Sequence, residues 1–250
     1  MKPIEEHEIR EYIERNIPSF HERRLQSLGG LSLKSVLKRK NPYLFKAKNI
    51  KTAGDLVKTI LDAHLSSQEE TIFGEFLEGL AIFICGHVYG GRKSSADGID
   101  LEFEKSGVYY IVTIKSGPNW GNSRQINKML EDFRKAKRIL RTNASGRDIR
   151  AVNGCSYGRH TRPQYEDKGD YLKLCGQSFW SFISGMDTLY TDIIEPIGHR
   201  AKERNDAFNE QYAKVVNVFT KEFIEEFCQP DGTILWEKIV RFNSSVTGEY

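Results

Sequence analysis

Residues 96–125 read ADGIDLEFEKSGVYYIVTIKSGPNWGNSRQ, and two runs inside this stretch place their side chains alternately on two faces. In the first run, apolar Ile99, Leu101 and Phe103 alternate with acidic Asp100, Glu102 and Glu104. The second run follows Ser106-Gly107 and sets Val108, Tyr110, Val112 and Ile114 against Tyr109, Ile111, Thr113 and Lys115. A period of two on both sides of a short turn predicts an antiparallel hairpin with one face packed on the core.

Charged residues stand at the outer ends of this hairpin. Asp100 opens the first run and Lys115 closes the second, so the two meet at one edge of the sheet, on the face that Thr113 shares. A metal-dependent phosphodiesterase needs a carboxylate to bind Mg²⁺ and an ammonium group to position or activate the attacking water. The pattern makes Asp100 and Lys115 candidate catalytic residues, with Asp100 as a metal ligand, although a strand-start cap and a solvated lysine at a strand edge explain each of them singly.

The remaining chain predicts helices on both sides of a strand-containing centre. We expect helices at about 4–28, with a break near Pro18, and at about 53–65, 69–87, 123–141 and much of 187–242. Further strands are expected at 149–158 and 171–175. This order indicates an α/β domain with helical N- and C-terminal additions.

Composition favours a soluble cytoplasmic protein. The chain has 250 residues, a net charge of +3 and four cysteines that form no metal-binding pattern, and its mean hydropathy is −0.52. The N-terminal residues lack a signal-peptide core, and the longest uninterrupted apolar run, residues 80–85, is too short to span a bilayer. We therefore expect no membrane partner. The six histidines show no metal-binding spacing, so we expect no histidine-ligated metal site either.

The hairpin and its surroundings resemble the PD-(D/E)xK nucleases. The segment IKSGPNWGNSRQINKM is similar to the one that follows the catalytic lysine in several type II restriction endonucleases. Weaker similarity extends over most of residues 40–242, through NPYLF, FGEFLE, SYGRHT, QSFWSFISG and QPDGTILWEKI. The resemblance implies a restriction-endonuclease-like mixed β-sheet core flanked by helices. It also implies site-specific, Mg²⁺-dependent (or Mn²⁺-dependent) hydrolysis of double-stranded DNA to 5′-phosphates, and a cognate DNA methyltransferase in the same host.

On this reading the chain divides into three regions. Residues 1–50 form a helical region for DNA contact or dimerisation, 51–185 the nuclease core, and 186–250 a helical region packed on that core. Because a palindromic duplex site needs two copies of the reading surface, we expect a homodimer.

The sequence departs from the superfamily pattern at two positions. Ile99 replaces the proline before the aspartate, and Thr113 stands where a second acid precedes the lysine by two residues. Threonine cannot supply a negative charge, so the second carboxylate must come from elsewhere. We favour Glu78 on the preceding helix, as a catalytic residue and metal ligand, with Glu102 as the alternative ligand. Asp97 is a rival for the primary aspartate but reads more easily as a turn residue.

Several polar residues are candidates for DNA contact. Backbone and side-chain donors at a helix N-terminus suit a phosphate, and arginine reads guanine edges in the major groove. A solvated surface loop or helix end explains the same residues equally simply, with Asn122 or Ser123 as a helix N-cap. The candidates are Asn119, Asn122, Ser123 and Gln125 after the hairpin, Arg159, His160 and Arg162 in a polar loop, and Lys38 and Arg39 among the basic residues 34–40.

Two other functions fit the same core. One is a repair or junction-resolving nuclease, which the long C-terminal helical portion disfavours. The other is a DNA-binding protein whose nuclease site has decayed, which Thr113 keeps open and the retained Asp100 and Lys115 disfavour.

Overall fold

The computed structural model describes residues 2–143, 146, 148–160 and 165–246. The helices in this part of the chain are α1 (Glu6–Gly29), α2 (Leu33–Lys38), α3 (Pro42–Ala47), α4 (Ala53–Tyr89), α5 (Ser123–Asn143), α6 (Gln177–Ser184), α7 (Leu189–Asp192), α8 (Ile194–Ile197), α9 (Ala201–Phe227) and α10 (Trp236–Ser244). The strands are β1 (Arg92–Lys93), β2 (Leu101–Lys105), β3 (Val108–Lys115), β4 (Asp148–Cys155), β5 (Glu166–Asp167) and β6 (Leu172–Cys175).

The chain forms two compact units, each built from separated segments. The sheet unit comprises Met1–Pro18 and Phe73–His199, and the helical unit comprises Ser19–Ile72 and Arg200–Tyr250. These units do not follow the three regions expected from sequence, because the helical unit takes residues from both ends of the chain. The functional roles expected for those three regions stay predictions.

The sheet unit holds a mixed sheet in the order β1-β2-β3-β4-β6-β5. Strands β2 and β3 pair antiparallel, with Leu101 opposite Val112, which confirms the predicted hairpin. Strand β3 then pairs parallel with β4, and α5 makes the crossover between them. This mixed sheet with flanking helices confirms the restriction-endonuclease-like α/β fold class.

Both faces of the hairpin are buried, so the expectation of a single packed face is wrong. One face carries Leu101 and Val112 into a core with α4 and α6, where Leu80, Ile84, Phe179 and Trp180 are also buried. The other face carries Ile111 against Phe133 and neighbouring apolar residues of α5. Because a parallel crossover lays its helix over the sheet, the hairpin's second face is covered as well.

Two helix boundaries also differ from the sequence prediction. Helix α1 runs through Pro18 without a break. A proline removes one backbone hydrogen bond, but Ile13 is buried in the core of the sheet unit and Ile17, directly before the proline, is buried as well, which holds the helix in place. Helix α4 is continuous where two helices were expected. Its polar middle stays helical because it lies between Leu65, buried in the core of the helical unit, and Leu77, buried in the core of the sheet unit.

Helix α4 is long and apolar enough to cross a membrane by length and composition. In the structure it serves as a core helix, since Leu56 and Leu61 are buried in the helical unit and Leu80 and Ile84 in the sheet unit. A buried core helix of a water-soluble protein meets the same criteria.

The helical unit has its own apolar core. Residues Leu56 and Leu61 of α4, Phe223 and Phe227 of α9 and Phe242 of α10 meet there. A turn precedes the last helix, with Gly232 at a φ of +86° and a bridge between Cys228 and Ile234.

Candidate active site

Asp100 is fixed at the start of β2 by contacts to the neighbouring strand. Its backbone N–H donates to the carbonyl of Val112 at 2.9 Å. Its carboxylate oxygen Oδ2 accepts the backbone N–H of Ile114 at 2.6 Å and the hydroxyl of Thr113 at 3.2 Å. One carboxylate oxygen is thus held by the protein, while the partly exposed side chain leaves the other for a ligand.

Thr113, the residue at the position of the missing acid, is buried with 1% of its surface exposed. Its hydroxyl donates to Asp100, so this position orients the primary carboxylate and adds no negative charge. A buried carboxylate here would lie directly beside Asp100 and would repel it.

Glu78 of α4 lies within electrostatic reach of the hairpin end. Burial raises the pKa of Glu78, and the negative charge of Asp100 raises it further, while the positive charges of Lys93 and Lys115 lower it. Lys93 also contacts Glu78 directly, with Nζ to Oε1 at 3.4 Å. The two predicted carboxylates and the predicted lysine therefore belong to one electrostatic group.

The approach of α4 to the hairpin end is also seen in the loop after Lys115. A Cβ added to Gly74 would lie 2.8 Å from the hydroxyl oxygen of Ser116. Glycine therefore allows α4 to pass close to this loop, one turn before Glu78.

Glu102 and Asp97, the other acidic candidates, have partners elsewhere. Glu102 is buried and accepts from Arg92 Nε at 2.7 Å and from Ser94 Oγ at 3.2 Å, so both of its oxygens are already engaged. Asp97 is largely exposed and pairs with Lys135 at 3.3 Å. These contacts favour Glu78 over Glu102 as the second ligand and Asp100 over Asp97 as the first.

The carboxylate oxygens of this site are donors of the kind that Mg²⁺ and Mn²⁺ take in proteins. Among the described residues, no group of three or more His, Cys, Asp or Glu side chains is placed to hold a metal ion. Mg²⁺ is commonly held by one or two carboxylates, with waters and substrate phosphate oxygens completing its shell. Asp100 and Glu78 could form such a pair, and a bound cation would offset the charge of Asp100, which raises the pKa of Glu78 in addition to burial.

Lys115 ends β3 beside two residues that sequence reasoning missed. Its Nζ lies 5.3 Å from the centre of the Trp120 ring. The indole Nε1 of Trp120 donates to Oδ1 of Asn153 on β4 at 3.1 Å. Lys93, beside Glu78, was also missed. Asn153 and Lys93 reach the site only through strand pairing, and no local pattern in the sequence marks them.

The residues predicted to contact DNA after the hairpin form the start of α5. The N–H of Gln125 donates to Asn122 Oδ1 and the N–H of Asn122 donates to Gln125 Oε1, both at 3.0 Å. This reciprocal pair is a capping box, so Asn122 is confirmed as the N-cap. Asn119 and Ser123 are exposed beside it. DNA contact by any of the four stays a prediction.

Arg159 and His160 line a cavity of about 420 Å³ at the ends of β4 and β6. Strand β4 ends at Cys155, earlier than predicted, and Gly158 with a φ of +94° turns the chain away. The N–H of Tyr157 donates to the carbonyl of Ser116 at 3.0 Å, so this loop begins beside the segment that follows Lys115. Arg162, the third candidate here, lies outside the described residues.

Lys38 and Arg39 belong to the helical unit. Lys38 Nζ lies 5.4 Å from the centre of the Phe242 ring, while Arg39 lines a cleft of about 680 Å³ together with Lys40 and His64. Burial lowers the pKa of His64, and the positive charges of Lys40 and Arg39 lower it further.

The profile of the type II restriction endonuclease EcoO109I family matches residues 7–205, which is most of the chain. The chain belongs to this family. Membership of the EcoO109I family confirms the resemblance to the PD-(D/E)xK superfamily. A search of curated proteins found no match.

The EcoO109I-family match places both predicted catalytic residues, Asp100 and Lys115, inside the matched range, together with Glu78. It makes the chain a member of a nuclease family that acts on DNA and serves in restriction. Such enzymes are in general soluble proteins of the cytoplasm. The match ends within α9, so the last part of the helical unit lies beyond it.

Proposed function

We propose that this chain is a site-specific endonuclease that hydrolyses phosphodiester bonds of double-stranded DNA with Mg²⁺, leaving 5′-phosphates. The observation that carries the proposal is the electrostatic group of Asp100, Glu78 and Lys115 at the end of the β2–β3 hairpin. It stands in a chain of a restriction endonuclease family, and it supplies two carboxylates and one ammonium group.

Asp100 and Glu78 are the residues that would hold the metal ion. Thr113 and the N–H of Ile114 orient Asp100 by binding one of its oxygens. Lys93 balances part of the negative charge of Glu78. Mg²⁺ bound there would polarise the scissile phosphate and stabilise the charge that develops on its oxygens.

Lys115 would position the attacking water by hydrogen bonding from its ammonium group. The water oxygen bonds to phosphorus as the bond from phosphorus to the 3′ oxygen breaks. The water's proton leaves to solvent, and the 3′ oxygen takes up a proton to become a hydroxyl. The products are a 5′-phosphate and a 3′-hydroxyl.

A palindromic recognition site requires two reading surfaces, so the proposal includes a homodimer. It also includes a cytoplasmic location, a cognate methyltransferase that protects host DNA, and Mn²⁺ as an alternative to Mg²⁺. Arg159, His160 and the residues before α5 are the proposed DNA contacts of the sheet unit.

The first experiment incubates the purified protein with unmethylated phage DNA in Mg²⁺ or EDTA, beside Lys115→Ala. Discrete fragments that require both Mg²⁺ and Lys115 support the proposal. A smear supports a nuclease without site specificity, which is the repair reading. Intact DNA with Mg²⁺ and with Mn²⁺ on several substrates contradicts cleavage altogether.

A DNA-binding protein without nuclease activity is the second candidate, because Thr113 replaces an acid that related nucleases use. Titration with Mn²⁺ followed by electron paramagnetic resonance separates the two. Saturable binding that Asp100→Asn abolishes supports the nuclease, and its absence in a protein that still binds duplex DNA supports the second candidate.

A further inference from the structure

Trp120 links Lys115 to the interior of the sheet unit. It lies in the loop of residues 116–122 between β3 and α5, with its ring half-buried. Its ring makes two contacts. The first is with the ammonium group of Lys115, which lies 5.3 Å from the ring centre. The second is a hydrogen bond of 3.1 Å from the indole N–H to the side-chain oxygen of Asn153.

Asn153 is an unusual residue for its position. It has 1% of its surface exposed, and it lies on β4 in register with Thr113 of β3. Its nitrogen Nδ2 is buried without a hydrogen-bond partner in the described part of the protein. A buried amide group that is only partly satisfied costs stability compared with an apolar side chain, so its presence calls for a compensating role. The side-chain contact that its oxygen makes with Trp120 supplies one.

The other neighbours of Lys115 would not fix its ammonium group in one place. Glu78 interacts with it through charge at a distance. Cys155 lies in register with Lys115 on β4, but burial raises the pKa of the Cys155 thiol to about 12, so it carries no charge to attract a lysine. The face of an indole ring attracts an ammonium group and restricts the side chain's rotation.

We propose that Trp120 is a positioning residue for Lys115, and that Asn153 holds the indole ring in the orientation this requires. Trp120 does not touch the reacting phosphate in this scheme and acts only through the lysine. The catalytic consequence rests on the proposed nuclease function, whereas the placement of Lys115 by the ring does not.

The ring current of Trp120 allows the placement to be measured without any activity. In protein labelled with ¹³C-lysine, the ε-methylene signal of Lys115 is identified by its loss in Lys115→Ala. We expect this signal upfield of exposed lysines, returning to their position in Trp120→Ala and moving partway in Asn153→Ala. An unchanged signal in Trp120→Ala would overturn the proposal.

Trp236 of the helical unit provides a matched control. Its ring centre also lies 5.3 Å from a lysine ammonium group, that of Lys46, and it too is half-buried. Trp236→Ala removes the same side chain and the same type of contact. We expect it to leave the Lys115 signal and the cleavage rate unchanged, and a matching loss in this variant would count against the proposal.

Cleavage kinetics then test the consequence. A cation–π contact corresponds to a fall in kcat of roughly 3- to 30-fold in Trp120→Ala, with KM unchanged. Trp120→Phe keeps an aromatic face and loses only the indole N–H. We expect a smaller fall in kcat in this variant, which would distinguish loss of the contact from loss of folding.

The pair is tested by a double-mutant cycle. If Asn153 acts through the indole N–H, Asn153→Ala slows cleavage in the wild type but has no further effect in Trp120→Phe. Additive effects would show that Asn153 acts by another route and overturn its part of the proposal. A wild type that does not cleave DNA would refute the nuclease function, while the lysine signal still decides the positioning role.

Discussion

Thr113 is the residue at which the candidate site departs most from the superfamily pattern. The superfamily pattern places an acid there, and the structure places a hydroxyl that hydrogen-bonds to Asp100. A second negative charge is available from α4, because Glu78 on this helix lies close enough to Asp100 for the two charges to interact. The second carboxylate of the proposed site therefore comes from a residue that is close to Asp100 in space but is not at the usual position in the sequence.

Replacing Glu78 with Gln tests this assignment. The change keeps the size of the side chain and removes its charge, so we expect cleavage with Mg²⁺ to fall by about 100-fold or more under single-turnover conditions. Asp97→Asn removes a charge of the same sign from the neighbouring turn and should leave the rate unchanged. Equal rates for wild type and Glu78→Gln would return the role of second ligand to Glu102.

The helix cap of α5 should contribute measurably to stability. Because Asn122 and Gln125 bond to each other's backbone N–H groups, Asn122→Ala should lower the free energy of unfolding by about 1 kcal/mol, measured by urea denaturation. Ser123→Ala, at the next exposed position, is the control. If Asn122 also contacts DNA, its variant loses affinity for duplex DNA in addition, whereas a purely structural cap loses stability alone.

Elements that depend on local pattern could be predicted from the sequence. The alternation of residues 99–104 and 108–115 predicted the β2–β3 hairpin, and helical periodicity at about 123–141 predicted α5. Asp100 and Lys115 followed from the same alternation. The local signals failed at Pro18 and in the middle of α4, where packing of Ile13 and Leu61 against distant residues overrides a weak break signal.

The contacts that sequence could not reveal are between residues far apart in the chain. Asn153 meets Trp120 only because β4 pairs parallel with β3 after the α5 crossover. The second buried face of the hairpin has the same origin, since only the folded crossover places Phe133 over Ile111. Alternation assigns side chains to two faces, but it does not say what covers each face.

At the scale of the whole molecule, positive charge is concentrated in one part of the helical unit. Residues 33–58 contain many lysines and arginines and a single acid, Asp55. Such a distribution is what binding to a phosphate backbone requires, although the net charge of the chain is only +3. The predicted DNA contacts Lys38 and Arg39 lie in this segment.

Salt dependence of DNA binding tests these two residues. Each phosphate contact contributes roughly 0.9 to the slope of log affinity against log salt concentration. We expect Lys38→Gln and Arg39→Gln each to lower the slope by about that amount, measured by fluorescence anisotropy on a duplex without cleavage in EDTA. Lys51→Gln, in the same segment, is the control for a general loss of positive charge. A slope that stays unchanged in all three variants would show that the DNA does not contact Lys38 or Arg39.

Acid pH should destabilise the protein through His64. Burial and the neighbouring Lys40 and Arg39 lower the pKa of His64 in the folded state. Below the unfolded value of about 6.5, the unfolded chain binds a proton that the folded chain does not, so stability falls as pH falls. We expect the thermal midpoint to drop between about pH 7 and 5.5, and to drop less in His64→Gln. His7→Gln, at an exposed position, should keep the wild-type drop.

Two of the three places where the chain passes between the compact units lie inside helices, after Pro18 in α1 and after Ile72 in α4. A gene segment that encoded either unit alone would have to be cut within a helix. Exchange of the helical unit by recombination would therefore need junctions inside α1 and α4 if the β2–β3 hairpin were to be kept. The discontinuous division of the chain thus couples the inheritance of the two units.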